Sequence, residues 1–196
     1  MNGGKGTLVI VSGPAGVGKT TICEQLLKEL PNFVRSVSAT TRVPRPGERD
    51  EVDYIFMNEL AFTSACRDGR FLEWANVHGK LYGTPRGWVE EKLRQGRNVL
   101  LNIDVQGAAQ IRGSGIPLAS FFLLPPSQDA LETRIRRRAK DSQAEIDRRL
   151  REAAVEMSRS GEYDYQIVND EIGRTVMNIV EILKERGIVA GDGQER

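Results

Sequence analysis

Short apolar runs alternate with amphipathic stretches along most of the chain. Runs rich in β-branched and other apolar residues predict buried strands at 7–11, 98–104, 120–124 and 165–169. Apolar residues at helical spacing predict helices at 21–30, 85–96, 105–111, 127–138, 142–160 and 171–186. Strands that alternate with helices indicate an α/β fold, in which a parallel sheet carries helices on both faces and ligands bind at the carboxyl ends of the strands.

Residues 36–84 depart from this alternation. The pattern here predicts a two-proline loop at 40–50, a helix at 59–68 and short strands within 33–38, 52–56 and 70–77. Asn58 is the expected N-cap of that helix, and Thr84 with Pro85 is the expected start of the next one. We therefore expect an inserted region with a small sheet of its own.

The composition is that of an ordinary folded domain, and it narrows the chemistry. A chain of 196 residues suits one compact domain. Its net charge of +1 gives no overall electrostatic attraction to nucleic acid or membranes. Cys23 and Cys66 show neither metal-ligand spacing nor a disulfide framework, which favours a reducing, cytoplasmic setting. No apolar run in the sequence is long enough to cross a membrane. Because His78 is the only histidine, serine-type triads and histidine metal sites are excluded unless it acts alone.

The loop between the first strand and the first helix fits the phosphate-binding pattern G-x-x-x-x-G-K-[ST]. Its residues are Gly13, Pro14, Ala15, Gly16, Val17, Gly18, Lys19 and Thr20. Glycines allow the backbone to approach phosphates closely, and successive N–H groups at a helix N-terminus attract an anion. Lys19 can reach the β- and γ-phosphates of a nucleotide, and the Thr20 hydroxyl can bind Mg²⁺. Asp104, at the end of a predicted strand, fits a second Mg²⁺ partner, but many parallel strands without a metal also end in aspartate.

A further group of polar residues lies in and after the inserted region. Arg42 and Arg45 flank a turn stiffened by prolines, where two guanidinium groups can chelate a phosphate dianion. Other polar side chains lie near predicted strand ends, and each of them, taken singly, fits an ordinary surface or sheet-edge position better than a ligand site: Ser38, Glu73, Tyr82 and Thr84. Arg134 and Arg138 share one helical face. Taken by itself, that basic run fits a solvated face or an RNA patch, although the aromatic residues and wider basicity of RNA patches are missing from it.

Several segments that follow one another with matching spacing make the chain resemble the guanylate kinase family over residues 6–188. They are Gly13–Thr20, Ser38–Glu48, Asp53-Tyr54, Phe71–Ala75, Tyr82–Thr84, Ile103–Gly107 and Ile167–Asp170. The T-T-R-x-P-R-x-G-E and E-W-A segments are specific to this family among P-loop kinases. The resemblance implies one P-loop kinase domain over 1–196, with a three-layer core at 1–35, 85–137 and 150–196, a GMP-binding insertion at 36–84 and a short helical lid at 138–149.

The resemblance also implies an enzyme of purine nucleotide metabolism that transfers the γ-phosphoryl group of ATP to GMP, and to dGMP, as a monomer or homodimer. The implied catalytic residues are Lys19, Arg42, Arg134, Arg138 and Arg149. The implied ATP contacts are Gly13–Thr20, Thr21 and Asn169. The implied GMP contacts are Ser38, Arg42, Arg45, Glu48, Tyr54, Glu73, Tyr82, Thr84, Asn102 and Asp104. Mg²⁺ would be held, partly through water, by Thr20 and Asp104.

Three positions depart from the family pattern. Ala15 stands where the family usually has serine, Thr84 replaces a serine but keeps the hydroxyl, and Asn102 replaces an acidic residue that helps to hold the guanine amino group. Asn102 therefore bears on base selectivity rather than on the reaction.

Glu73 can accept hydrogen bonds from guanine N1–H and from the exocyclic amine, donors that adenine lacks on that edge, so it would reject AMP.

Three other functions are weighed against this one. The first is a guanylate-kinase-like module that binds partner proteins without catalysis, against which the complete loop and the retained arginines argue. The second is a phosphotransferase with another acceptor, such as a phosphorylated sugar, against which Glu73 argues. The third is a P-loop GTPase, but the chain has no guanine-reading Asn-Lys-x-Asp motif.

Overall fold

The fold is that of a computed structural model, which describes residues 5–77, 79–138 and 143–190, except for the side chains of 137 and 138. The strands are β1 (Leu8–Ser12), β2 (Phe33–Arg35), β3 (Ala39–Thr40), β4 (Ile55–Phe56), β5 (Phe71–Val77), β6 (Lys80–Pro85), β7 (Asn98–Asn102), β8 (Leu118–Leu124) and β9 (Tyr165–Val168). The α-helices are α1 (Lys19–Glu29), α2 (Glu59–Arg67), α3 (Arg86–Arg94), α4 (Val105–Arg112), α5 (Gln128–Arg138), α6 (Gln143–Ser158) and α7 (Ile172–Glu185). Within these ranges, no helix combines the length and the apolar character needed to cross a membrane.

The main sheet of the described residues has five parallel strands in the order β2-β7-β1-β8-β9. Strand β1 is wholly buried because it lies between β7 and β8 and is covered on both faces. Its side chains alternate: Val9 and Val11 pack towards α1 and α7, whereas Leu8 and Ile10 pack towards α3 and α4. A parallel sheet between two layers of helices confirms the predicted α/β core.

The mixed sheet contains four strands of the described chain, in the order β4-β3-β6-β5. Strand β3 runs parallel to β4 and antiparallel to β6, which in turn pairs antiparallel with β5. A small core beneath it contains Phe62 from α2, whose ring stacks on Phe71 with 4.5 Å between the ring centroids. Gly83 of β6 lies over this pair, since a Cβ there would come within 2.9 Å of the Phe71 ring. The separate sheet expected for the inserted region is therefore confirmed.

One predicted helix cap is confirmed and another is wrong. The Asn58 side chain accepts a hydrogen bond from the Ala61 N–H at 2.8 Å and so caps α2. The N-cap position of α3 is Pro85 rather than the predicted Thr84. Thr84 is fully buried, and its hydroxyl donates to Glu73 on the neighbouring strand. Strand pairing places the Glu73 carboxylate beside Thr84, so the Thr84 hydroxyl bonds to Glu73 instead of capping α3 as the local sequence predicts.

Two other boundaries bear on the site. Strand β7 ends at Asn102, two residues before the predicted end, and Asp104 becomes the N-cap of α4. The helices α5 and α6 pack together through Leu131, Ile135, Ile146 and Ala153. Residues 139–142, which include the predicted start of the helix at 142–160, and His78 lie outside the described residues.

Candidate functional site

The backbone of the loop between β1 and α1 has positive φ at three glycines, one of which is Gly16 with φ 85°. Gly13 and Gly18 have φ angles of 143° and 108°, in the region that side chains disfavour. A Cβ at Gly13 would lie 2.5 Å from the Leu123 carbonyl oxygen, and a Cβ at Gly18 would lie 2.6 Å from Asn169 Nδ2. The loop therefore curls tightly against β8 and against the residue that follows β9. Such a curl turns successive N–H groups towards an anion.

The Lys19 ammonium group lies over this loop. Its Nζ donates hydrogen bonds to the carbonyl oxygens of Gly13 at 2.6 Å and Pro14 at 3.2 Å. Lys19 is also the first residue of α1, so its charge and the positive end of the helix dipole act at the same place. The arrangement concentrates positive potential where the sequence predicts the donor phosphates.

Asn169 and Arg134 brace the loop. Asn169 is 4% exposed; its Nδ2 donates to the Val17 carbonyl oxygen at 2.7 Å, and its Oδ1 accepts from the Thr175 hydroxyl at 3.0 Å. Arg134 donates to the same Val17 oxygen at 3.1 Å and to the Asn169 carbonyl oxygen at 3.3 Å. A shallow pocket of about 340 Å³ beside them is also lined by Thr21. These bonds hold the loop carbonyls and so fix the direction of the N–H groups.

A cavity of about 640 Å³ lies between the main sheet, the mixed sheet and α6. Its wall combines Ala15 and Lys19 of the loop with Glu73 of β5. Other predicted residues on the wall are Ser38, Tyr54, Tyr82, Asn102 and Asp104. The structure thus brings residues predicted for the donor and for the acceptor to the same cavity, whose size is within the range of small-molecule sites.

The predicted phosphate-binding turn is held by an internal ion pair. Arg42 Nη2 lies 2.8 Å from Glu48 Oε1, and the Arg45 N–H donates to Glu48 Oε2 at 2.7 Å. The hydrogen bond from Arg42, followed by that from Arg45, lowers the pKa of the Glu48 carboxyl. Arg42 also lies 5.2 Å from the centre of the Tyr54 ring, within cation–π range, and the Tyr82 ring meets Tyr54 edge-on at 6.0 Å. The contacts of Glu48 therefore organise the turn itself.

Glu73 carries a buried carboxylate in the cavity wall. It is 5% exposed, and its Oε1 accepts a hydrogen bond from the Thr84 hydroxyl at 2.5 Å. Burial raises the pKa of Glu73 to about 7; the Thr84 hydroxyl opposes this rise, and the negative charge of Asp104 adds to it. Glu73 therefore changes its protonation state near neutral pH, and donors from a ligand would favour its ionised form.

The end of β7 approaches the start of α1. Asn102 Nδ2 donates to Thr20 Oγ1 at 3.3 Å. Asp104 Oδ1 accepts hydrogen bonds from the N–H groups of Gln106 at 3.0 Å and Gly107 at 2.8 Å. Asn102 thus connects the predicted acceptor pocket with the predicted metal ligand Thr20.

The predicted phosphoryl-binding arginines are placed differently from one another. Arg134 contacts the loop, as described above. Arg149 Nε lies 3.2 Å from Glu145 Oε1 on α6, and hydrogen bonds from Arg148 and Arg149 lower the pKa of Glu145 to about 2. The Arg138 side chain, like residues 139–142 of the expected lid, lies outside the described residues. Convergence of the three arginines on a phosphoryl group stays a prediction.

Glu156 is a site residue for which the sequence pattern gives no signal. Its Oε2 accepts a hydrogen bond from the Ala15 N–H at 3.2 Å, and it lines the cavity. Burial raises the pKa of Glu156, and the Lys19 charge opposes that rise. A glutamate on a charged amphipathic helix is ordinarily a solvent-facing residue, so only the packing of α6 against the loop reveals it.

A parallel α/β sheet whose first loop lines the same cavity as the buried carboxylate of Glu73 is typical of a P-loop kinase that acts on nucleotides. The family model described as guanylate kinase matches residues 5–186. The chain is 46% identical over 184 residues to the guanylate kinase of Wolbachia pipientis wMel, which covers 93% of this chain and 92% of that protein. It is 42% identical over 181 residues to the guanylate kinase of Synechocystis sp., with 92% and 95% covered.

Comparison with solved structures leads to the same family. The crystal structure of guanylate kinase from Anaplasma phagocytophilum matches with a TM-score of 0.78 and 35% sequence identity, covering 95% of this chain and 88% of that one. The chain therefore belongs to the guanylate kinase family, and the resemblance inferred from its motifs is confirmed.

Proposed function

We propose that this chain transfers the γ-phosphoryl group of ATP to GMP, giving ADP and GDP, and that it accepts dGMP in the same way. Membership of the guanylate kinase family supports this activity. The observation that carries it is the shared cavity, whose wall includes both Lys19 of the phosphate-binding loop and the buried carboxylate of Glu73. A donor phosphate and an acceptor base can then occupy neighbouring positions, as direct transfer between two nucleotides requires.

ATP binds at the loop in this proposal. The backbone N–H groups of the loop Gly13–Thr20, which Pro14 lacks, and the Lys19 ammonium group take the phosphates, and Thr21 contributes from the adjoining pocket. Asn169 acts on ATP through the loop, because its side chain is hydrogen-bonded to the Val17 carbonyl oxygen. The loop is thereby held in its binding conformation, which reduces the ordering needed when ATP binds.

The phosphate of GMP binds at the cationic turn. Glu48 and Tyr54 hold the Arg42 guanidinium group in one orientation, so the group loses little freedom when it binds a dianion. Arg45 and Tyr82 complete the phosphate contacts. The turn and the loop then present the acceptor oxygen in line with the γ-phosphoryl group of the donor.

The guanine base is read by Glu73. In its ionised form the carboxylate accepts hydrogen bonds from N1–H and from the exocyclic amine, while Ser38, Thr84 and Asn102 supply further polar contacts. The Thr84 hydroxyl already holds one carboxylate oxygen, so the orientation is set before the base arrives. With AMP the buried carboxylate would lack its donors, which costs about 1–3 kcal/mol or more for a charged group.

Charge that develops on the transferring phosphoryl group is neutralised by Lys19 and by Arg134, Arg138 and Arg149 in this proposal. The insertion at 36–84 and the lid at 138–149 close over the two nucleotides. Closure excludes water and thereby limits the hydrolysis of ATP.

Mg²⁺ is the divalent ion that we propose for this reaction. Among the residues that the structure describes, no three His, Cys, Asp or Glu side chains are grouped to bind a metal. Mg²⁺ suits such a site because it keeps several waters and takes other ligands from nucleotide phosphates. Thr20 would bind it directly and Asp104 through water, since Asp104 Oδ1 already accepts two backbone hydrogen bonds. When bound there, Mg²⁺ would supply positive charge that offsets the negative charge of the phosphates.

Release of ADP from ATP, measured with GMP, dGMP, AMP, CMP and UMP as acceptors, tests this function. We expect turnover with GMP and dGMP and a kcat/KM for AMP that is lower by at least about 100-fold. A lack of GMP-dependent turnover would favour a partner-binding module or another acceptor. Equal rates with AMP and GMP would contradict the role of Glu73.

Two substitutions test the machinery itself. Lys19→Ala and Arg42→Ala should each lower kcat/KM for GMP phosphorylation by about 100-fold or more, because each removes a charge that the transferring or accepting phosphate needs. The exposed residues Lys28 and Arg67, near the ends of α1 and α2, provide matched control substitutions to Ala. Near-native rates in either test variant would contradict the assignment.

A further inference from the structure

Glu73 lies against helix α4 at a glycine, where any side chain would collide with its carboxylate. A Cβ on Gly107 would lie 2.2 Å from Glu73 Oε2 and 2.9 Å from Glu73 Cδ, far inside van der Waals contact. Gly107 is buried in the first turn of α4 and has regular helical structure. The lack of a side chain, rather than the freedom of the backbone, is therefore what this position contributes.

The other side of the Glu73 carboxylate is held by the mixed sheet. Glu73 and Thr84 are register partners on β5 and β6, and the Thr84 hydroxyl donates to Glu73 Oε1 at 2.5 Å. Thr84 is itself fully buried. The carboxylate is thus confined between a hydroxyl on β6 and the bare backbone of α4, with Oε1 on one side and Oε2 on the other.

The same helix also holds the backbone beside Glu73. Gln110 Oε1 accepts a hydrogen bond from the Trp74 N–H at 3.1 Å, and Gln110 Nε2 donates to the Trp74 carbonyl oxygen at 2.7 Å. Within the described residues β5 is an edge strand, so the Gln110 amide takes the place of a neighbouring strand. Gly107 and Gln110 are three residues apart and share one face of α4. That face fixes both the side chain of Glu73 and the strand that carries it.

We propose that Gly107 and Gln110 are positioning residues that set the acceptor specificity of this enzyme through Glu73. The inference rests on the proposed function, since it takes Glu73 as the reader of the guanine base. A side chain at position 107 would turn the carboxylate away from its place. The carboxylate is the far end of a flexible side chain, so the fold accommodates this movement, whereas the two hydrogen bonds to guanine depend on its position.

The Gly107→Ala variant tests this proposal, with Gly87→Ala as the matched control. Gly87 lies in the first turn of α3, and a Cβ there would meet nothing within 4 Å. For Gly107→Ala we expect KM for GMP to rise at least about tenfold, with KM for ATP and kcat at saturating GMP within about twofold of wild type. For Gly87→Ala we expect all three values to stay within about twofold. Melting temperatures of both variants should remain within about 5 °C of wild type.

Base discrimination separates a positioning role from a structural one. Inosine monophosphate keeps N1–H but lacks the exocyclic amine, so the ratio of kcat/KM for GMP to that for inosine monophosphate reports the second hydrogen bond to Glu73. Gly107→Ala should lower this ratio at least about fivefold. In a Glu73→Gln background the same substitution should lower it no further, because the two residues act through one contact. A folded Gly107→Ala variant with wild-type KM for GMP and a wild-type ratio would overturn the proposal.

Gln110→Ala is a second test, because it removes an exposed amide without introducing a clash. We expect KM for GMP to rise about twofold to fivefold with KM for ATP unchanged, and an unchanged KM for GMP would overturn the role of Gln110 whether or not Gly107→Ala folds. The activity of the wild type distinguishes a failure of the proposed function from a failure of this inference. If wild type releases no ADP with GMP, the proposed function fails and this inference with it. If wild type is active and both variants match it, only this inference fails.

Discussion

The Ala15 backbone N–H donates a hydrogen bond to the Glu156 carboxylate at 3.2 Å, so an acidic side chain of α6 lies against the loop that receives the donor phosphates. Its oxygen stands at that N–H where an oxygen of an anion would stand. Burial raises the pKa of Glu156, while the nearby Lys19 charge favours the ionised form. ATP must therefore bind beside, or displace, a group of like charge.

Removing the charge of Glu156 should tighten ATP binding. In Glu156→Gln the side-chain oxygen can still accept the Ala15 N–H, but the repulsion of the phosphates is lost. We expect KM for ATP to fall about threefold to tenfold, where tenfold corresponds to about 1.4 kcal/mol. Steady-state kinetics at saturating GMP and calorimetric titration with ATP alone measure the change.

Glu181→Gln is the matched control for this substitution, because Glu181 is exposed on α7 and its removal changes the net charge equally. It should leave KM for ATP within about twofold of wild type. A higher KM for ATP in Glu156→Gln would show that the carboxylate supports the loop instead of competing with phosphate.

GMP binding should weaken in acid through Glu73. Its pKa of about 7 lies above the ordinary 4.5 of a glutamate, so a fall in pH from about 8 to 6 protonates the carboxyl. A protonated carboxyl carries an O–H donor on one oxygen, so it can no longer accept the two guanine hydrogen bonds with both oxygens. We expect KM for GMP to rise by up to about tenfold per pH unit below pH 7, with little change in KM for ATP.

Glu73→Gln provides the reference for this pH profile. The second ionisation of the GMP phosphate affects both proteins equally, so the difference between their profiles isolates the carboxyl of Glu73. The variant should bind GMP weakly at every pH, with a flatter profile than wild type. Parallel profiles for the two proteins would exclude Glu73 as the titrating group.

The buried charge of Glu73 should also lower stability at high pH. Folding raises the pKa of Glu73 to about 7 from 4.5, so the folded state binds the extra proton between these values and the free energy of unfolding falls as the pH rises through this window. The cost is fully present above pH 7, with an upper bound of about 3 kcal/mol. Below pH 4.5 both states are protonated and the cost vanishes.

Urea unfolding of wild type and Glu73→Gln at several pH values measures this cost. The neutral amide should make the variant more stable than wild type at about pH 8, and the difference should shrink towards zero at about pH 4.5. A variant less stable than wild type at pH 8 would mean that the hydrogen bonds of the carboxylate outweigh its burial.

Asn169 should stabilise the phosphate-binding loop from beneath. Asn169→Ala removes one of the two donors to the Val17 carbonyl oxygen and one of the two acceptors of the Thr175 hydroxyl, which leaves only Arg134 and the more distant Val168 carbonyl oxygen as their partners. We expect a loss of about 1–3 kcal/mol in the free energy of unfolding and a higher KM for ATP. Asn32→Ala, which removes an exposed side-chain hydrogen bond to the Gly96 carbonyl oxygen, should cost less than about 1 kcal/mol. Equal effects of the two substitutions would contradict a special role for Asn169.

The three central strands of the main sheet, β1, β7 and β8, could be predicted because they are mostly buried and appear as continuous apolar runs. The phosphate-binding loop could be predicted because its glycines and Lys19 lie within eight consecutive residues. The mixed sheet was also expected, since its short strands interrupt the helical spacing. In each of these cases the physical cause is local in the chain.

The remaining contacts join residues that are distant in the chain. Thr84 follows the local rules for a helix cap, but strand pairing presents it to Glu73, eleven positions away. Glu156 and Ala15 are 141 positions apart, and nothing in the spacing of α6 marks one glutamate among several. Gly107 has the pattern of an ordinary helical residue until the Glu73 carboxylate is placed beside it. These relationships follow from packing, which periodicity does not encode.

The path of the chain through the main sheet bears on how acceptor choice can evolve. The chain leaves this sheet after Arg35 and returns at Asn98 in the adjacent strand, so the whole mixed sheet is a single crossover between neighbours. The segment between Arg35 and Asn98 could be exchanged as a unit by recombination, because its two junctions with the main sheet lie in adjacent strands and the phosphate-binding loop lies outside it. Gly107 and Gln110, however, lie beyond the second junction. A segment transferred from a relative would keep its own base preference only if helix α4 of the recipient carried residues compatible with it. If Gly107 and Gln110 act as inferred, α4 therefore limits the exchange of acceptor specificity between relatives.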